Sequence, residues 1–313
     1  MSHQPDLTTL VQNPSAMRLR VFSISVLCVV VIFTGCAHRV PPPIDQFPSP
    51  LVESVRAHGR VQERTLSGRT LSVDAGLPSP LSVYVPESCN GATDVDLVIH
   101  FHGSAFLPFQ AVDALTRPTI AVSVSLGSGS ARYEQPFVPP DAFPRVVASV
   151  EAATGKHATR IFLTSFSAGY GAVRAILRHD ADRIDGVLLL DSLHTGYLPD
   201  RRTLAQGGAI ETAKLEMFLR FAERARRGEK RMIITHSEVF PGTYASTTES
   251  TDSILEAMGL KATPVLKWGP NGMQQTSEVR AGRLLVLGYA GNTGLDHGDH
   301  LHALPSLLPL LVE

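Results

Sequence analysis

The segment Ile161-Phe162-Leu163-Thr164-Ser165-Phe166-Ser167-Ala168-Gly169-Tyr170-Gly171-Ala172-Val173-Arg174-Ala175-Ile176-Leu177-Arg178 passes from one kind of periodicity to another with a single turn between. Residues Ile161–Ser165 form a short apolar run of the buried-strand type, and Ala168–Arg178 carries a helical pattern. The turn, Ser165-Phe166-Ser167-Ala168-Gly169, has small residues two positions to either side of Ser167. A serine held on so sharp a turn needs small neighbours, because larger ones would collide across it. The helix that follows aims its N-terminus, the positive end of its dipole, back at the serine.

Further runs of the same strand type flank this segment. Leu97–Phe101 and Thr119–Ser125 precede it, and Val187–Leu190, Arg231–Thr235 and Leu284–Leu287 follow it. Helical patterns fit the gaps, at about 143–153, 168–179, 211–227, 250–259 and 300–312, and Thr70–Val73 with Leu81–Val85 reads as a leading antiparallel pair. Strands alternating with helices predict an α/β fold, a mostly parallel central sheet flanked by helices on both faces. One domain over 56–313 is expected. Any cap is small, because only one long helix fits between the fourth and fifth runs.

The first residues read differently. Arg18 and Arg20 precede an apolar run from Val21 to Phe33, followed by Thr34-Gly35-Cys36. A basic start, an apolar middle and small residues at a cleavage point make an export signal over 1–35, and the apolar run is shorter than the ~20 residues of a membrane span. Phe33-Thr34-Gly35-Cys36 resembles a bacterial lipobox, although Leu is usual where Phe33 stands. That resemblance implies acylation of Cys36, anchorage of an exported chain to a membrane and residence in the cell envelope. Residues 36–55, with Pro41-Pro42-Pro43, Pro48 and Pro50, read as an extended tether. With Cys28 in the signal and Cys36 acylated, Cys89 stands alone, so no internal disulfide is expected. A net charge of -1 gives no footprint for nucleic acid.

The turn around Ser167, between strand and helix, resembles the nucleophile elbow of the α/β-hydrolase family, with Ser165 where Gly is usual. The resemblance implies a serine hydrolase, with Ser167 as nucleophile and no metal or cofactor. It implies an oxyanion hole made by the amide of Ala168 and by Gly103 or Ser104 in His100-Phe101-His102-Gly103-Ser104. It places the general base in Gly294-Leu295-Asp296-His297-Gly298-Asp299-His300-Leu301-His302. There His297, in the loop before the final helix, is favoured over His300, and His302 reads as a helix-face residue. Two carboxylates compete for the acid. Asp191 follows the fourth run, and Glu238 follows the fifth, where Phe240 stands at the position relatives often fill with Asp. Asp191 is favoured, with a purely structural capping role as its alternative.

Two other classes of function compete with the serine hydrolase. His100 and His102, expected on one face of a strand, and the Asp296–His302 cluster could bind zinc for metal-assisted hydrolysis, though their spacing matches no metallohydrolase signature. A non-catalytic surface lipoprotein using the cleft only for binding is the second. For the enzyme, a small cap suits short-acyl or glycan O-acyl esters. The loop Gly127–Asp141 either lines the cleft or forms a surface connection.

Overall fold

The structure, a computed structural model, describes residues 57–313. The export segment 1–35, with Cys28, and the tether 36–55, with Cys36, lie outside the described residues. In chain order the strands are β1 (Arg69–Val73), β2 (Leu81–Val85), β3 (Asp94–Phe101), β4 (Thr119–Val124), β5 (His157–Phe166), β6 (Gly186–Leu190), β7 (Tyr197–Leu198), β8 (Ala209–Ile210), β9 (Arg231–His236), β10 (Thr263–Trp268), β11 (Gln274–Ala281) and β12 (Leu284–Tyr289). The helices are α1 (Phe106–Asp113), α2 (Ser130–Glu134), α3 (Ala142–Thr154), α4 (Tyr170–Asp180), α5 (Glu216–Arg226), α6 (Thr247–Ala257), α7 (Gly294–His302) and α8 (Leu304–Val312). Among the described residues no helix is long and apolar enough to cross a membrane.

Ten strands form one sheet in the order β1-β2-β4-β3-β5-β6-β9-β12-β11-β10. The six from β4 to β12 in that order are mutually parallel, and antiparallel strands flank them at both edges. All six apolar runs read from the sequence are these parallel strands. Side chains alternate faces along each of them. Leu97, Ile99 and Phe101 of β3 join the core shared with α3, α4, α5 and α6, whereas Val98 joins the core shared with α1 and α8. The sheet is thus covered on both faces, the architecture of the α/β-hydrolase fold. Cys89 is free and buried, and burial pushes its thiol up in pKa.

Several elements depart from the sequence reading. Strands β10 and β11 were not anticipated, because an edge strand with one solvated face carries no continuous apolar run; β10 is almost wholly exposed. Helix α1 carries no helical signature in the sequence, since it is buried nearly all round and shows no amphipathic period. The helix expected at 300–312 is two, α7 and α8, divided where Pro305 starts the second. Helix α6 begins three residues earlier than expected, where Ser246 and Glu249 form a reciprocal cap. The helix expected over 211–227 opens as a 3-10 turn, Thr212–Leu215, before α5.

Residues 58–64 run as a strap across the end of the molecule that carries α7. His58 Nδ1 donates to Asp299 Oδ2 at 2.8 Å, and Arg60 Nη1 lies 2.9 Å from Asp299 Oδ1. Arg60 Nη2 also donates to the Leu295 carbonyl at 2.9 Å, and the Val61 amide donates to His302 Nδ1 at 3.0 Å.

Candidate active site

Sheet order locates the crevice. From β3 the chain crosses to β4 on one side and then returns past β3 to β5 on the other. Helices α1 and α3 therefore pack on opposite faces, and the carboxyl ends of β3 and β5 open onto a gap between the connections. Ser167 follows β5 at this gap, and His102-Gly103-Ser104 follows β3. Among the described residues, five non-glycine residues have positive φ, and three of them end parallel strands here: His102 (72°), Ser167 (47°) and Asp191 (45°). Each such conformation costs about 1–3 kcal/mol, so the surroundings must hold it in place.

Around Ser167 that support is visible. Residues Ser167–Gly169 form a 3-10 turn leading into α4. A Cβ on Gly169 would stand 2.2 Å from the Phe101 carbonyl oxygen, so only glycine lets the turn lie on the end of β3. Ser192 Oγ donates to the Ser167 carbonyl at 2.8 Å and lies 2.8 Å from Ser165 Oγ. Ser192 has one hydroxyl hydrogen, so Ser165 is the donor in the second bond. The serine at the first position of the elbow, where glycine is usual, is therefore a buried member of a hydrogen-bonded chain that pins the elbow's backbone.

Asp191 and His297 meet. His297 Nδ1 lies 2.6 Å from Asp191 Oδ2. A carboxylate only accepts, which puts the proton on Nδ1 and leaves Nε2 as the acceptor. Asp191 is 1% exposed. Its Oδ1 accepts from the Ser237 amide at 2.9 Å and from the Thr247 hydroxyl, and Oδ2 accepts from the Ser237 hydroxyl at 2.7 Å. Burial works to raise the Asp191 pKa, but the charges of His300 and His297 and these hydrogen bonds outweigh it and hold the carboxyl well below its usual range. Asp191 is thus poised as an anion that fixes the His297 tautomer.

The alternates fall elsewhere. Glu238 accepts from the Gly291 amide at 3.0 Å, and its own amide donates to the Gly291 carbonyl at 2.9 Å. His300 is buried, with Nδ1 2.7 Å from Thr235 Oγ1 and its ring edge-on to Tyr289. His297 itself lies inside α7 rather than in the loop before the helix. The Thr293–Asp296 capping box starts the helix earlier, so His297 is carried on a rigid turn.

On the β3 side, φ at Gly103 is 120°, and a Cβ there would come within 2.9 Å of Leu301 Cδ2. The backbone conformation is what calls for glycine, since the Leu301 methyls could shift. Ser104 follows, exposed, before α1. Ala168 lines the cleft with Ser167, whereas Gly103 and Ser104 stand just behind His102, which is the cleft-lining residue of this turn. His100 and His102 do not share a strand face as expected, because β3 ends at Phe101 and His102 turns away at positive φ. His100 is fully buried, with Nδ1 2.8 Å from Thr164 Oγ1, and burial pushes its pKa down to about 3. His102 Nδ1 lies 2.9 Å from the Tyr133 hydroxyl. Its ring stacks on Phe166, which in turn packs against His297 at 4.5 Å between centroids. Phe166, inside the elbow, had given no sign in the sequence of this place between two histidines.

The cleft measures about 850 Å³. Ser128–Ala131 and Glu134 line it, so the loop Gly127–Asp141 is a cleft wall, stiffened by α2 and by the buried Tyr133. On the far side His194 packs between Tyr170 and Tyr244 and donates from Nδ1 to the Ala245 carbonyl at 3.0 Å. Among the described residues no separate cap covers the opening: residues 191–230 contribute the two-residue strands β7 and β8 and helix α5.

The histidines and carboxylates around 296–302 disperse. His297 turns to Asp191, His300 to Thr235 and His302 to the strap. Among the described residues one trio, His58, Asp296 and Asp299, brings donor atoms within 4.8 Å of one another. Arg60 already sets a cation against Asp299, and Asp296 caps α7 through Thr293, a chemistry that suits an ion-paired strap better than a metal.

No protein-family model matches the chain, and no curated protein sequence matches it. Solved structures do resemble it. The BES protein from Bacillus cereus superposes with TM-score 0.47 at 12% identity, over 80% of this chain and 96% of the other. The poly(3-hydroxybutyrate) depolymerase LpqC from Bordetella parapertussis gives TM-score 0.46 at 14% identity, over 78% and 89%. A puromycin-hydrolysing peptidase from Mycobacterium tuberculosis gives 0.41 at 17% identity over 76% of this chain, which spans 38% of that longer protein.

Proposed function

We propose that the chain is a serine hydrolase acting on esters, with Ser167 as nucleophile, His297 as general base and Asp191 as the carboxylate that orients it. The observation that carries this reading is the 2.6 Å contact between His297 and a buried, fully hydrogen-bonded Asp191, joined to the Ser167 turn by the packing of Phe166 on His297 and the bond from Ser192 to the Ser167 carbonyl. A serine hydroxyl is a weak nucleophile until a neighbouring base takes its proton. His297 Nε2 accepts that proton as Ser167 Oγ attacks the ester carbonyl, and Asp191 stabilises the imidazolium. The amide of Ala168, which opens the turn into α4 and so lacks an intrahelical acceptor, donates to the oxyanion. Gly103 or Ser104 supplies the second donor. His297 then protonates the leaving alcohol, and water releases the acyl group by the reverse route.

The substrates are esters with short acyl groups or O-acyl groups on glycans, for which an uncapped cleft is suited. The same reading takes the protein to be exported through residues 1–35 and held at the membrane of a bacterial cell envelope by a lipid on Cys36. The test is labelling of the purified protein with a fluorophosphonate probe, alongside Ser167→Ala and an EDTA-treated sample. Labelling that survives EDTA and vanishes in Ser167→Ala is expected. A folded protein that takes no label would refute the mechanism, and metal analysis would then separate a zinc hydrolase from a binding protein.

A further inference from the structure

The cleft is not electrically neutral, and its charge has a definite place. Helix α4 starts beside Ser167 and lines the cleft with Tyr170, Arg174 and Arg178, one residue per turn on a single face. Long side chains on a helix lean toward its N-terminus, here toward Ser167. Arg174 follows that rule: its guanidinium lies over the Tyr170 ring, 5.4 Å from the centroid.

Across the cleft one carboxylate, Glu134, faces both arginines. It takes the fork of Arg174, with Nη2 at 2.6 Å and Nε at 3.2 Å, and it stands 3.8 Å from Arg178 Nη2. Two guanidinium groups thus share a single carboxylate, leaving a net positive charge. The other charged lining residues are met outside the cleft wall: Lys214 pairs with Glu211 at 2.8 Å, and Glu216 pairs with Arg220. The Arg174 side chain is 8% exposed, and its Nη1 has no hydrogen-bond partner among the described residues. That nitrogen is closed off from solvent, so Arg174 gives the cleft wall its charge rather than a free donor. Arg178 is 44% exposed and reaches the same carboxylate only at long range.

We infer that the cleft selects esters that also carry a carboxylate, bound by the exposed Arg178 with the charge of Arg174 beside it, about two to three helical turns from Ser167. The inference rests on the serine-hydrolase reading and adds a substrate class to it. A planar guanidinium such as that of Arg178 suits a carboxylate because its parallel donors match both oxygens. Tyr170, His194 and Tyr244 supply an apolar, partly polar-edged wall for the segment between ester and acid.

The test measures kcat/KM of the full chain on two matched pairs of probes. One pair is the mono-nitrophenyl ester of suberic acid and the same molecule capped as its methyl ester. The other is carboxyphenyl acetate and its methyl ester, which moves the charge to the alcohol side. In one pair or both, the charged member is expected to be preferred about tenfold at low ionic strength, with the preference shrinking as salt rises. Arg178→Gln should bring the charged-to-neutral ratio to about one, and Arg178→Glu should invert it. A ratio near or below one in both pairs, with the neutral esters turned over, overturns the inference and leaves the hydrolase reading intact. An unchanged ratio in both variants also overturns it. No turnover of any probe by folded protein refutes the hydrolase reading itself, and the inference with it.

Discussion

His100 offers a quantitative test of how the β3 end is built. The imidazole is fully buried beneath the Gly103 turn, bonded to Thr164 Oγ1 at 2.8 Å, and burial drives its pKa to about 3. In the unfolded chain the same group titrates at about 6.5. The folded pKa is the lower of the two, so the unfolded state binds the proton first as pH falls. The stability tied to neutral His100 is complete above about pH 6.5 and is lost progressively between about pH 6.5 and pH 3. At pH 5 the loss amounts to one and a half pH units at about 1.4 kcal/mol each, or about 2 kcal/mol relative to pH 8. His100→Asn keeps a polar atom near Thr164 and removes the titration. Urea unfolding of both proteins at pH 8 and pH 5 isolates the term, because the cavity left by the smaller side chain weakens the variant equally at both pH values. The wild type should lose about 2 kcal/mol more than the variant between the two conditions. Equal losses would mean that the ring is charged or hydrated in the folded protein, and the account of this turn would fail.

Other outcomes bear on the site and the anchor. Asp191→Asn should lower kcat by about 10³- to 10⁴-fold by releasing the His297 tautomer, whereas Glu238→Gln should stay within a few-fold of wild type in the same ester assay. Loss of activity in Glu238→Gln alone would reverse the assignment of the acid. Ser192→Ala removes the donor to the Ser167 carbonyl and should cost about 1–3 kcal/mol in urea unfolding, with a fall in kcat as the elbow loosens. A neutral result there would mean that the elbow needs no such pin. Cys36→Ser should release the protein from membrane fractions, and unchanged sedimentation with membranes would contradict acylation.

What could be read in the sequence was whatever is encoded locally. The six parallel strands announced themselves because a strand buried on both faces must be apolar along its length, and Ser167 stood out because small residues around it are a steric necessity of its turn. The start of α7 was placed too late, with His297 read as loop, although the Thr293–Asp296 capping box starts the helix ahead of it. The choice of Asp191 over Glu238 rested on an absence, Phe240 where a carboxylate is usual. Its physical basis, the two hydrogen bonds from Ser237 and one from Thr247, comes from residues 46 and 56 positions away. The same holds for Ser192 beneath Ser165, for Phe166 between two histidines, and for Glu134 shared by two arginines. None of these has a periodicity or a motif, because each is made by the crossing of separate connections over the sheet.

The strap of residues 58–61 ties the helix bearing His297 to the part of the chain that leads back toward residue 57. Mechanically this is a weak link set in series with His297. A pull applied through the N-terminal side is borne first by Arg60, His58 and the Val61 amide, well before the interior strands of the sheet are loaded. Trimming the chain past Arg60 removes the contacts of His58 and Arg60 to the buried Asp299. A fragment that keeps these contacts to α7 therefore begins ahead of His58, and a protein immobilised through that end would loosen the seating of α7 while its sheet was still whole.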